Sequence, residues 1–74
     1  MAKKIQSNGI YKIVEIIGSS KISWEDAAKR AVQTASRTLR DLRVAEISKL
    51  DMKVEDGKVV AYRARVTLSF KYQA

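Results

Sequence analysis

The side chains that could do chemistry in this chain are few, and their types limit the reactions it can support. Histidine and cysteine are absent from all 74 residues. Zinc sites with imidazole or thiolate ligands, acid–base catalysis by histidine and disulfide bonds are therefore excluded. Carboxylates, lysines and tyrosines are left, but neither Glu15 nor Glu46 has a partner at a nucleophile–base spacing. The residues therefore do not predict an enzyme.

Three carboxylates in the second half of the chain are the candidates for a metal site, namely Asp51, Glu55 and Asp56. Calcium takes about six to eight oxygen ligands, often with carboxylates among them. Three lysines lie in the same stretch, at positions 49, 53 and 58. These lysines argue against a site within one chain, whereas a site formed between symmetry-related copies would leave no mark in the sequence.

Positive charge is the other chemical feature, with a formal net charge of +7. The charges are spread along the chain, and Arg40 and Arg43 form the only dense basic spot, which Asp41 interrupts. No glycine-rich loop or aromatic ladder accompanies them, as binders of single-stranded nucleic acid usually require. A small basic nucleic-acid-binding protein is therefore a hypothesis that rests on charge alone. The interpretation of the positive charge as a solvated basic surface is favoured over this hypothesis. Binding of an anionic small ligand remains an open alternative.

The first residues are polar and basic, and they lack the pattern of a targeting segment. A signal peptide needs an apolar stretch after its charged start, and Gln6, Ser7 and Asn8 occupy that place. No apolar run approaches the roughly 20 residues of a membrane span. We therefore expect residues 1–9 to be a flexible basic arm, residues 10–74 to be one domain, and the protein to be cytoplasmic without a membrane partner.

The elements that position these residues begin with a strand and a helix. Ile10–Gly18 is rich in β-branched residues and apolar on both faces, which predicts a buried strand. Ser23 is the expected N-cap of a helix of about four turns that reaches Leu39, with Asp26 as its capping-box partner. The apolar arc of this helix consists of Trp24, Ala27, Ala28, Ala31, Val32, Ala35 and Leu39. We interpret its tryptophan as a core or edge residue.

Two long strands follow, Leu42–Val54 and Val59–Tyr72, with Asp56 and Gly57 between them. An Asp-Gly pair between two strand patterns is a strong hairpin signal. The second of these strands alternates strictly between apolar and polar positions, which predicts one buried and one exposed face. The order β-α-β-β then predicts an α+β fold with an antiparallel sheet of order 1-3-2 that wraps the helix.

Element lengths predict that the chain assembles. The third strand, about 14 residues long, spans roughly 46 Å. The helix, about 15 residues long, spans roughly 22 Å. One helix cannot cover the apolar face of such a strand, so its ends, including Phe70 and Tyr72, must be buried by further copies of the chain.

Four segments together resemble the dodecin family, and they cover nearly the whole chain after residue 9. They are I-Y-K-I-V-E-I-I-G-S-S, S-W-E-D-A-A, T-L-R-D-L-R and Y-R-A-R-V-T-L-S-F. The resemblance implies a β-α-β-β subunit and a hollow dodecamer built from trimers. It also implies a non-catalytic protein whose typical members store or sequester flavins in pairs inside the shell.

The ligand positions that the resemblance implies depart from the family's pattern. A typical flavin binder has a stacking Trp where this chain has Val44, and a Gln where it has Arg63. Glu46 keeps the pattern, and Arg65 is the fourth ligand-site candidate. Stacking on an aromatic ring is worth about 1–3 kcal/mol, and valine has no π face. We therefore expect flavin binding to be weakened or lost, with Arg63 either receiving an anionic group or pairing with Glu46.

Two alternatives stay open within the family. One is a flavin store for FMN or riboflavin, if the pocket tolerates Val44. The other is a calcium-binding dodecin, since members with valine at this position resemble calcium dodecins. The expected function is therefore the binding, storage or sequestration of a small ligand or ion, and the sequence leaves its identity open.

Overall fold

The structure of the chain, a computed structural model, describes residues 9–71. Its elements are β1 (Tyr11–Ser20), α1 (Trp24–Ala35), β2 (Leu42–Glu55) and β3 (Lys58–Lys71). The strands form one antiparallel sheet in the order β1-β3-β2. The predicted α+β topology and the central position of β3 are therefore confirmed. Residues 1–8 of the predicted arm, and Tyr72, lie outside the described residues.

The turn between β2 and β3 is the predicted two-residue hairpin. Asp56 and Gly57 both have a positive φ, of 51° and 74°. Two consecutive residues in the left-handed region are typical of the hairpin turn whose twist matches that of its strands. The pair Glu55–Lys58 closes the ladder directly beside this turn.

The start of α1 is capped by two serines. Ser23 has extended backbone, and its Oγ accepts a hydrogen bond from the backbone N–H of Asp26 at 3.0 Å, which confirms the predicted N-cap. The reciprocal half of the capping box is not formed. The Asp26 carboxylate instead accepts hydrogen bonds from Ser20 Oγ and from Arg30 Nε, both at 2.6 Å. Ser20 Oγ also accepts a hydrogen bond from the backbone N–H of Ile22 at 2.9 Å. The buried hydroxyl of Ser20 therefore stabilises the connection between β1 and α1.

The end of α1 differs from the prediction. The helix has 12 residues and ends at Ala35, before Leu39. The hydroxyls of Ser36 and Thr38 donate to carbonyls of the last turn, and such local bonds compete with helix continuation. Asp41, at a φ of 57°, then turns the chain into β2, and its carbonyl accepts a hydrogen bond from the backbone N–H of Lys71. Within residues 9–71, no helix has the length and hydropathy of a membrane span.

The core is small and lies where α1 packs on β1 and β3. Its buried residues are Ala27, Ala28 and Ala31 of α1 with Ala64, Val66 and Leu68 of β3. Gly18 of β1 is buried directly beneath the helix. A Cβ atom at Gly18 would overlap the carbonyl oxygen of Ala27 and would lie 2.9 Å from the Cβ of Ala31. The alanines and this glycine therefore set how closely the helix approaches the sheet.

One helix does not cover this sheet, as the element lengths predict. The 12 residues of α1 span about 18 Å, whereas the 14 residues of β3 span about 46 Å. The radius of gyration is 15.7 Å, compared with about 11 Å for a compact domain of this length. Ile47, Leu50 and Met52 lie on the helix side of β2, yet each is about half exposed. We call these three residues the β2 strip.

Candidate functional site

All four predicted ligand-site residues lie on the face of the sheet that is opposite α1, which we call the open face. They are Val44, Glu46, Arg63 and Arg65. The core residues of β3 alternate with the two arginines and point to the helix, so the arginines belong to the other face. Val44 lies opposite Ser69, and Glu46 lies opposite Thr67, on that same face.

Val44 lies in an apolar part of the open face. Its side chain is 56% exposed, and Ile13, which pairs with the same residue of β3, is 66% exposed. The two together offer a small aliphatic surface without an aromatic ring. Glu46 of β2 and Glu15 of β1 both pair with Thr67 of β3, so one glutamate lies on each side of this threonine.

Arg63 is engaged by Asp51 and not by Glu46. Its Nε lies 2.7 Å from Asp51 Oδ1 and its Nη2 lies 2.8 Å from Oδ2, a bidentate pair between directly opposed residues. Glu46 lies opposite Thr67, which is about 13 Å along β3 from Arg63. The predicted pairing of Arg63 with Glu46 is therefore wrong within one chain. Hydrogen bonds from Arg63 lower the pKa of Asp51, and the same bonds raise the pKa of Arg63.

Trp24 connects the start of α1 to β2 at Asp51, the residue that forms the ion pair with Arg63. Its indole Nε1 donates a hydrogen bond to the backbone carbonyl of Asp51 at 3.0 Å. Its ring meets Tyr62 edge to face, with 5.2 Å between the centroids and 70° between the planes. These contacts confirm the interpretation of Trp24 as an edge residue, and they fix the strand that carries Asp51.

The candidate metal ligands are not brought together within one chain. Asp51 is held by Arg63, the carboxylate of Glu55 lies 3.5 Å from Lys53 Nζ, and Asp56 lies in the hairpin turn. Among residues 9–71, no three acidic side chains are grouped closely enough to hold a metal ion. A cation site at these residues stays a prediction, and it requires ligands from more than one copy.

Val44 and Arg63 are also too far apart to share a ligand within one chain. The residue opposite Val44 is Ser69, six positions along β3 from Arg63, which corresponds to about 20 Å. A small ligand that touches both residues must therefore lie between copies.

Lys49 also lies on the open face, opposite Arg65, whereas the sequence marks it only as a charge that argues against a metal site within one chain. The register passes from Ile47↔Val66 to Lys49↔Arg65, which leaves Ser48 as an extra residue in β2. Ser48 Oγ donates a hydrogen bond to the carbonyl of Arg65 at 3.2 Å. The sequence does carry a signal, because the apolar alternation of β2 changes phase between Ile47 and Leu50.

We expect acid to destabilise this fold, because two of its carboxyl groups have lowered pKa values. Hydrogen bonds from Ser20 and then from Arg30 lower the pKa of Asp26, and Arg63 lowers that of Asp51. A carboxyl with a lowered folded-state pKa stabilises the fold above its unfolded pKa of about 4, and this contribution is lost as the pH falls through the folded-state pKa. We therefore expect the free energy of unfolding to decrease below about pH 4.

Urea unfolding between about pH 2.5 and pH 7 measures this effect. Both side chains are partly exposed, so the contribution of each is modest. The double variant Asp26→Asn/Asp51→Asn should show a flatter pH dependence than the unmodified chain. An equally steep decrease in the double variant would assign acid sensitivity to other carboxyl groups.

The family follows from a comparison with known proteins. A sequence model described as Dodecin matches residues 10–73. The chain belongs to the dodecin family. The calcium dodecin of Mycobacterium tuberculosis is 44% identical over 62 residues, which cover 84% of this chain and 87% of that protein. The resemblance stated from the sequence is thereby confirmed.

Solved dodecin structures share the fold. A crystal structure of the calcium dodecin of M. tuberculosis, described as a calcium-chelating antigen with a novel calcium-binding site, matches with a TM-score of 0.77 and covers 88% of this chain and 93% of that one. The dodecin of Streptomyces coelicolor is 32% identical, with a TM-score of 0.84 over 92% of this chain and 97% of that one. The β-α-β-β arrangement with the β1-β3-β2 sheet is therefore the dodecin fold.

Proposed function

We propose that this chain forms a dodecameric shell, built from trimers, that holds a small ligand or ion without catalysing a reaction. Dodecins are non-catalytic binding proteins, and this chain belongs to that family. The observation that carries the proposal is the half-exposed β2 strip, which a single copy leaves uncovered on the helix side of its sheet. Burial of such an apolar surface is the main favourable term in protein association.

Flavin binding is weakened in this proposal. The apolar surface at Val44 contains no ring that could stack on a flavin. Arg63, at the position of the usual Gln, has its guanidinium fork taken up by Asp51. Both positions expected to contact a flavin therefore lack the group that typical flavin binders provide.

Calcium is the second candidate ligand, and the 44% identical calcium dodecin supports it. Within this proposal, Asp51, Glu55 and Asp56 contribute oxygen ligands across an interface between copies. Calorimetric titration of chelator-treated protein with Ca²⁺, with Mg²⁺ as the matched control, tests it. Heat that saturates with Ca²⁺ supports a calcium dodecin, and the absence of Ca²⁺ binding to the assembled protein contradicts it.

Titration with riboflavin and FMN tests the flavin part of the proposal. We expect little quenching of flavin fluorescence at micromolar protein, and strong quenching there would instead identify a flavin store. Absorbance and metal analysis of the protein as purified complement this titration, since a bound flavin is yellow.

A nucleic-acid-binding function is disfavoured, and it would appear as strongly salt-dependent binding of DNA or RNA. The cytoplasmic location stays a prediction.

The replacement Leu50→Glu should disrupt the assembly. A carboxylate in the middle of the β2 strip would lose its hydration at an apolar interface, which is unfavourable without a partner. We expect the unmodified chain to sediment as a large assembly and the Leu50→Glu variant to sediment as smaller species. Arg37→Gln changes the net charge by the same amount at an exposed position beyond α1 and is the matched control.

Two results would contradict this account. An unmodified chain that sediments as a monomer would overturn the proposed shell. An intact assembly of the Leu50→Glu variant would show that the β2 strip is not part of the interface.

A further inference from the structure

Two cations lie directly opposite each other on the open face. Lys49 of β2 pairs with Arg65 of β3 in the sheet register. Directly opposed residues of antiparallel strands have Cβ atoms about 4.5–5.5 Å apart, and like charges at such positions destabilise the sheet. The chain therefore carries a repulsive pair near the middle of the β2–β3 hairpin.

One irregularity in the ladder creates this juxtaposition, and a second one directly beyond it restores the original register. Beside the hairpin turn, Val60 is an extra residue in β3, and farther along, Ser48 is an extra residue in β2. A regular hairpin would place Ser48, and not Lys49, opposite Arg65. The hydrogen bond from Ser48 Oγ to the carbonyl of Arg65 fixes the second irregularity at this point. Such bulges are frequent beside functional sites, where they redirect side chains.

Neither cation forms a direct ion pair within the described part of the chain. Among residues 9–71, no ion pair or side-chain hydrogen bond joins the ammonium group of Lys49 or the guanidinium group of Arg65 to an acid. Asp51, on the same face, interacts with Arg65 only through its charge and is held bidentately by Arg63, while Glu15 and Glu46 lie at Thr67, the next open-face position of β3. Arg63 is therefore neutralised by a direct ion pair, whereas neither Lys49 nor Arg65 forms such a pair among residues 9–71.

We propose that Lys49 and Arg65 together bind a phosphate group, either free or as part of a phosphorylated small ligand. A phosphate carries up to two negative charges and several acceptor oxygens, so it can neutralise both cations at once. Arginine presents a planar fork that matches phosphate oxygens, and lysine adds a point charge beside it. The site lies on the same face as Val44 and Glu46, so it deepens the proposed function and rests on it for the role of the ligand. The pair itself is formed within one chain and does not depend on assembly.

Titration with inorganic phosphate at low ionic strength tests the site, because salt screens exposed charges. Lys49→Gln and Arg65→Gln should each weaken phosphate binding at least about tenfold, the loss expected for one charged hydrogen-bonding partner. Lys58→Gln removes the same charge beside the turn of the same hairpin and should leave phosphate binding nearly unchanged. Unchanged binding in both site variants, or an equal loss in the Lys58→Gln control, would overturn the proposal.

Thermal unfolding supplies a second readout. Phosphate should raise the melting temperature of the unmodified chain, because a ligand that binds only the folded state stabilises it. In phosphate-free buffer, Lys49→Gln should melt no lower than the unmodified chain, since it removes a repulsive pair, and phosphate should then raise its melting temperature much less than that of the unmodified chain. A melting temperature that phosphate raises equally in this variant would contradict the site.

A comparison of FMN with riboflavin separates the two sources of phosphate. Tighter binding of FMN, removed by Arg65→Gln, identifies a phosphorylated ligand, whereas equal binding of both flavins beside intact phosphate binding identifies free phosphate. Sedimentation separates this inference from the proposed function. Phosphate binding that depends on Lys49 and Arg65 in a monomeric protein would end the proposed shell and leave the site standing.

Discussion

Replacement of Gly18 by alanine is expected to remove much of the stability of this chain. The added methyl group would overlap the carbonyl oxygen of Ala27, which belongs to the main chain of α1 and cannot rotate away. The helix would have to lift off β1, and its contacts with the rest of the core would be loosened. Overpacking costs about 1–3 kcal/mol and more where the backbone has to move. We expect a loss of about 3 kcal/mol or more, out of the roughly 4–11 kcal/mol that chains of this length have.

Urea or thermal unfolding measures this loss. Ser19→Ala is the matched control, because Ser19 is the exposed neighbour of Gly18 in β1 and the change adds no atom that the helix could meet. The control should unfold within about 0.5 kcal/mol of the unmodified chain. A Gly18→Ala variant that unfolds together with this control would show that the helix can shift without cost, contrary to the packing described.

Most of the fold could be predicted because its local signals agree with one another. The Asp-Gly turn, the serine N-cap and the alternation of β3 predict a hairpin, a helix start and a strand that together are consistent with one β-α-β-β arrangement. The end of α1 could not be predicted in this way, because the apolar spacing continues to Leu39 although the helix ends at Ala35. Leu39 still packs against the core from the turn that follows. An apolar residue at helical spacing can therefore be buried without being helical.

The faces of the sheet were easier to predict than the partners across it. Alternation along β3 alone places Arg63 and Arg65 on one face. Their partners depend on the extra residues in the ladder, since a regular register from the turn would set Leu50 opposite Arg63. The irregularities instead set Asp51 there and leave Leu50 on the helix side. They keep charged residues off the apolar face, which is a tertiary requirement that the local sequence signals only by a change of phase.

The candidate site also depends on how copies of the chain are arranged, which the sequence of one chain does not show. Val44 and Arg63 lie about 20 Å apart along the open face, so a ligand that needs both can bind only between copies. The Asp51–Arg63 pair, by contrast, is complete within one chain. Substitutions at Arg63 and Asp51 therefore affect the stability of the single chain as well as any ligand, whereas substitutions at the exposed Val44 act mainly on the ligand.

For this reason Val44→Trp is the sharper test of the proposed ligand site. An indole at this exposed position of the open face would supply the π surface that the aliphatic patch of Val44 and Ile13 lacks. Stacking on an aromatic side chain is worth about 1–3 kcal/mol, so riboflavin and FMN should bind about 5-fold to 150-fold more tightly. Quenching of flavin fluorescence during a protein titration measures the gain.

Val44→Leu separates stacking from simple apolar contact. Leucine enlarges the aliphatic surface but has no ring, so this variant should gain little affinity for either flavin. The double variant Val44→Trp/Arg63→Gln should bind at least as tightly as Val44→Trp, because it also restores the amide found in typical flavin binders. If Val44→Trp gained no more than Val44→Leu in the assembled protein, Val44 would not line a flavin-sized pocket. The missing ring could then no longer account for weak flavin binding, and the open face would serve a ligand of another class.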